Sequence, residues 1–139
     1  MHRPALRLAF LVPLLAPLVA CGSVSKQALG QPSERPFSGA VLSGAHVFVS
    51  GKIGERGGSF AREVETAIDA VEKELAGAGL DLSDVVTATV YLTDMGRYGE
   101  LNEIYARRFP APYPARACVA VRELPVGAQV EIQVIAARR

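Results

Sequence analysis

A chain of 139 residues that is 50% hydrophobic and 21% charged has the size and composition of one globular core, and its formal charge of +1 excludes a broad basic footprint for nucleic acid. Arg3 and Arg7 fall in an export signal, which leaves 13 basic against 14 acidic side chains in the mature chain, a net −1. With two histidines, two cysteines and no CxxC pair, no protein metal site is expected.

Met1 to Arg7 is short and basic, and Leu8 to Ala20 is an uninterrupted apolar run. As a helix that run reaches only ~20 Å, short of the ~30 Å hydrocarbon layer, so it reads as the apolar core of a signal peptide rather than a membrane span. Its end, Leu18-Val19-Ala20-Cys21-Gly22, resembles the lipobox of bacterial lipoproteins, in which the cysteine is acylated and becomes the first mature residue. The expectation is a signal over 1–20, lipid on Cys21, and attachment at the periplasmic face of the cell envelope, with Gly22 favouring the outer membrane. An ordinary signal peptide with a chance cysteine is the competing reading. Acylation of Cys21 leaves Cys118 as a lone thiol. Residues 21–35 carry few large apolar groups and no period, and are expected to be a lipidated tether to a domain spanning 36–139.

Gly39–Ser43 and His46–Ser50, separated by Gly44-Ala45, predict a β-hairpin. Beyond a glycine-rich turn, Ser59 is placed to cap a helix in which Phe60, Val64, Ala67, Ile68, Val71 and Leu75 recur at spacings of three and four. Its other face, with Arg62, Glu63, Glu65, Asp69, Glu72 and Lys73, reads as a solvated face, and Gly77 and Gly79 stop it. Val85–Thr93 alternates strictly, Val86, Ala88, Val90 and Leu92 on one side and Thr87, Thr89, Tyr91 and Thr93 on the other. A second helix is predicted from Arg97 to Phe109, with Tyr98, Leu101, Tyr105 and Phe109 on one side, ended by Pro110. Two closing strands, Ala117–Val121 and Gln129–Ala136, complete the order ββαβαββ: an α+β fold whose two helices share one face of a mixed sheet. The half-polar face of Val85–Thr93 calls for cover from neighbouring subunits.

Two charged residues stand where charge needs a reason. Arg116 follows Pro110-Ala-Pro-Tyr-Pro114 and opens an apolar strand, so the backbone fixes its position; its planar fork matches a carboxylate, although residue type alone favours an ion pair. Glu131 sits mid-strand in Val130-Glu-Ile-Gln-Val-Ile-Ala136, with Val130 and Ile132 facing the other way, and must meet water, a cation or a site. Cys118 shares the face of Arg116 and reads either as a reactive thiol or as a small packing group.

Six segments, in order, resemble the reactive-intermediate deaminase (Rid, or YjgF) family from Pro36 to Arg138. They are Pro36-Phe-Ser-Gly-Ala-Val41, Val47-Phe-Val-Ser-Gly51, Asp84-Val-Val-Thr-Ala-Thr-Val-Tyr-Leu-Thr-Asp94, Leu101-Asn-Glu-Ile-Tyr105, Pro114-Ala-Arg-Ala-Cys118 and Leu124-Pro-Val-Gly-Ala-Gln-Val-Glu-Ile132. The resemblance implies a chorismate-mutase-like fold, a homotrimer whose sheets form a central barrel, and ligand clefts between subunits. It implies that Arg116 binds a substrate carboxylate, that Glu131 lies near the attacked carbon, and that Phe37, Ser50, Asn102 and Cys118 line the cleft. The implied activity is hydrolysis of small 2-imino acids or 2-enamines, such as 2-aminoacrylate and 2-iminobutyrate, to 2-keto acids and ammonia. A protonated C=N carbon is already electrophilic, so no cofactor or metal is required. The pattern is broken at Phe37, which stands where many deaminating members have Tyr, at Gly39, which replaces a common Gln, and at Lys52, where Gln is usual. Phe37 and Lys52 lean toward the alternative, a non-catalytic envelope trimer that binds small carboxylates or a protein partner.

Overall fold

The structure, a computed structural model, describes residues 25–30 and 34–138. The segment expected to be an export signal, and Cys21 with its expected lipid, lie outside the described residues. The expected hairpin forms as β2 (Ala40–Ser43) and β3 (His46–Ile53), following a strand that composition did not announce, β1 (Lys26–Leu29). β1 runs antiparallel to β2 with Leu29 opposite Ala40, inside the segment expected to be tether. An edge strand needs backbone partners more than apolar side chains, and the unpaired edge of β2 supplies them.

Helix α1 (Phe60–Ala76) starts where Ser59 accepts the Arg62 N–H at 3.2 Å, and all six residues of its predicted stripe are buried. β4 (Val85–Leu92) leads through one 3₁₀ turn to α2 (Tyr98–Arg108), then to β5 (Ala115–Ala120) and β6 (Val130–Ala137). The sheet order is β1-β2-β3-β6-β4-β5; β4 and β5 are parallel and every other pair is antiparallel. The predicted order is therefore observed with one strand added at its start.

Both helices pack on one sheet face. Leu101, Ile104, Tyr105 and Phe109 join the α1 stripe against Val47, Val49, Val90, Leu92, Val130 and Ile132, each large side chain stabilising the fold by about 1.5–3 kcal/mol on burial. The α1 face expected to be solvated is exposed at Arg62, Asp69 and Lys73, and its carboxylates also anchor α2: Arg108 bonds Asp69 and Glu72 at 2.7 Å each and also pairs with Glu65. On the opposite sheet face Phe48 and Val119 remain 43% and 41% exposed in the single chain.

Two irregularities shift the strand pattern. Between Val85 and Thr87 the register against β6 slips, which buries Val85 and turns Val86, expected on the apolar side, outward. Two residues against one moves the inward phase by a single position. The second slip, between Val49 and Lys52 of β3, lies at the candidate site.

Candidate active site

Arg116 reaches from β5 across the face of α2. Its guanidinium donates to Asn102 Oδ1 at 2.5 Å and to the Tyr98 hydroxyl at 3.3 Å, and lies 4.6 Å from the Tyr105 ring centre. Tyr98, Asn102 and Tyr105 stand four and three residues apart, so one side of α2 presents all three. The sequence pattern put Tyr98 on the core stripe; it is 42% exposed and belongs to this cluster instead. No Asp or Glu among the described residues pairs with Arg116, so the ion-pair reading fails within the protomer. Beside it opens a cavity of about 280 Å³, bounded by Asn102, Tyr105, Ala106, Tyr113 and Pro114. The proline-rich lead-in, with its cis Ala111–Pro112 bond, forms that wall.

Tyr105 is the shelf under the cation. Its ring stacks on Phe109 at 4.0 Å, and its buried hydroxyl has no hydrogen-bond partner among the described residues. Burial pushes the phenol up to about 12, against a weaker opposing pull from Arg116, so it stays neutral beside the guanidinium.

Glu131 occupies a different place. On β6 it faces away from the helices, with Ser50, Gly51 and Lys52 of the β3 irregularity beside it, and Phe37, 53% exposed, on the far wall of a cavity of about 570 Å³. Arg35 also borders this cavity, its guanidinium 6.0 Å from the Phe37 ring centre. The Ser50 hydroxyl donates to the Ser38 carbonyl at 2.7 Å, leaving its lone pairs for a ligand. Lys52 donates to Glu74 Oε1 at 2.6 Å, and a Cβ on Gly39 would come within 2.5 Å of that same oxygen. The departures at Gly39 and Lys52 are thus one arrangement: the lysine needs the carboxylate, and the carboxylate needs the space above the glycine.

The two groups do not meet in one chain. Arg116 is level with Val134 through Ala88, and Glu131 is opposite Tyr91, three residues further along β4. Two strand spacings and three residue steps separate their Cα atoms by roughly 14 Å, with the side chains on opposite faces. Phe37, Ser50 and Glu131 gather in one half, Asn102 and Arg116 in the other. Cys118 borders neither cavity; it packs against the core, and burial raises its thiol pKa more than Arg116 lowers it, which keeps it protonated near neutrality.

One residue escaped the pattern. Glu63, assigned to the solvated face of α1, is 2% exposed and accepts the Gln129 N–H at 2.6 Å and its side-chain amide at 3.0 Å. It ties the first turn of α1 to the residue two before Glu131. The only sequence signal was its adjacency to the stripe residue Val64.

The sequence model of the family described as endoribonuclease L-PSP matches residues 27–138. The chain is 40% identical over 107 residues to a RutC family protein of Sinorhizobium fredii, covering 72% of this chain and 85% of that one. It is 36% identical over 108 residues to human 2-iminobutanoate/2-iminopropanoate deaminase, covering 73% and 79%. Among solved structures, yeast Mmf1 superimposes with a TM-score of 0.78 at 30% identity, over 83% of this chain and all of that one. The chain belongs to the Rid (YjgF, endoribonuclease L-PSP) family, the same family as that imine deaminase.

Proposed function

We propose that this protein hydrolyses small 2-imino acids and their 2-enamine tautomers to 2-keto acids and ammonia, in clefts completed between copies of the chain in a homotrimer. The observation that carries the reading is Arg116, a full charge held by neutral partners beside an open cavity. The substrate carboxylate docks on its fork, which orients the imine carbon. Glu131 of a neighbouring copy takes a proton from water as the oxygen adds to that carbon and the C=N electron pair moves to nitrogen. The resulting carbinolamine receives the proton from Glu131 on nitrogen, the C–N bond breaks with its electron pair leaving on ammonia, and the hydroxyl proton returns to Glu131 as the ketone forms. The large apolar side chains of Phe48 and Val119, left open on the sheet face away from the helices, support subunit packing there.

The test follows decay of freshly generated 2-iminobutyrate in the presence of the domain from residue 22 onward. Arg116→Ala should reduce acceleration at least about 100-fold while sedimentation still reports the parent's trimer; full activity in that variant refutes the role. Phe37 favours a second reading, because it offers no hydroxyl to a polar ligand: binding of benzoate or 2-ketobutyrate without any acceleration of hydrolysis identifies a carboxylate binder. The same proposal places the trimer at the periplasmic face of the envelope through lipid on Cys21. Labelled palmitate should enter the full chain and not Cys21→Ser; equal labelling removes the anchor.

A further inference from the structure

The irregularity in β3 points to a residue with no reactive atoms. Val49 pairs with Val134, Lys52 with Ile132 and Ile53 with Glu131, so Ser50 and Gly51 form a two-against-one bulge opposite Gln133, next to the pair that holds Glu131. A Cβ built on Gly51 would lie 1.7 Å from Glu131 Oε1, 2.6 Å from its Cδ and 3.0 Å from its Cγ. The carboxylate therefore rests on the bare backbone of the bulge, in space that any side chain would fill.

The bulge cannot easily retreat. On one flank the Ser50 N–H donates to Gly39 O at 3.0 Å and the Ser50 hydroxyl to Ser38 O at 2.7 Å; on the other Lys52 is held by Glu74 at 2.6 Å. Glu131, in contrast, carries its carboxylate on two rotatable methylenes. When an added methyl forces one of them to move, the side chain yields before the pinned strand.

We infer that Gly51 is the positioning residue for Glu131: the missing side chain in a pinned bulge sets where the acid sits, and hence which way it directs water. This rests on the proposed hydrolysis for its catalytic meaning, and on geometry alone for its structural meaning. A misplacement of about 1 Å in a catalytic group is enough to cost up to about 100-fold in rate.

The experiment takes Gly51→Ala, Glu131→Gln and the double variant through iminobutyrate hydrolysis, with a crystal structure of Gly51→Ala. The expected result is a fall in kcat of at least about 10-fold at nearly unchanged KM in Gly51→Ala, and less than about 2-fold further loss when the same change is made on Glu131→Gln. In the crystal the carboxylate should be displaced while Ser50 keeps both bonds to residues 38 and 39. Equal losses in the two backgrounds, or a crystal in which the strand shifts and Glu131 stays, overturns the inference. A parent domain that does not accelerate imine loss at all sinks the proposed function instead, and the crystal structure still decides whether Gly51 seats the acid.

Discussion

A guanidinium whose hydrogen bonds go to an amide oxygen and a phenol gives up none of its charge to its own protomer. That is the arrangement at Arg116, where Asn102 and Tyr98 aim the fork and Tyr105 lies beneath it. The unpartnered Tyr105 hydroxyl contributes nothing to this, so the ring and the hydroxyl separate cleanly by mutation. Tyr105→Phe should leave KM unchanged and hold or raise stability by up to about 1 kcal/mol, because a buried orphan is removed. Tyr105→Leu should raise KM several-fold, since the flat shelf is lost. Steady-state kinetics on the two variants decides, and equal KM values in both discard the shelf. Arg116 was legible in the sequence because prolines on its N-terminal side leave it one backbone position. Tyr98 was not, because an aromatic at helical spacing looks the same whether it meets the core or a cation at the core's edge.

At the scale of elements, helices and strands followed from apolar spacing, and the misses all involve partners distant in sequence. β1 exists because β2 has an open edge, which no local pattern records. The bulge at Val86 is a property of the pairing with β6, so strict alternation in β4 misassigned the residue. Glu63 is the sharpest case: it stands among charged residues on its helix face, yet its carboxylate bridges to Gln129, 66 residues away, just before β6. Replacing it by Ala strands a half-buried N–H, and Glu63→Ala should lower unfolding free energy by about 1–2 kcal/mol in urea titrations. Glu63→Gln, which keeps an acceptor for the Gln129 N–H and lets the facing amide rotate, should stay within about 1 kcal/mol of the parent. If Ala is tolerated as well as Gln, the bridge is not holding β6.

For the whole molecule, the sequence pointed to an incomplete object, and the structure has the same character: one sheet face under two helices, the other with large apolar side chains in the open, and two partial cavities on different surfaces. What no single-chain pattern conveyed is that Arg116 and Glu131 face away from each other. Strand periodicity gives a residue's face only relative to its own strand, and the parallel pairing of β5 on β4 was needed to relate the two.

In the proposed trimer, their separation makes each chain a donor to two different clefts. Mixing Arg116→Ala chains with Glu131→Gln chains, unfolding them together and refolding should therefore restore activity that neither has alone, up to about one quarter of the parent at equal proportions, because random assembly pairs an intact fork with an intact acid that often. A chain carrying both substitutions does the reverse: the first copy to enter such a trimer silences two of its three clefts and a second silences the last, so co-expressing that chain with the parent in equal amounts should leave about one quarter of the activity rather than half.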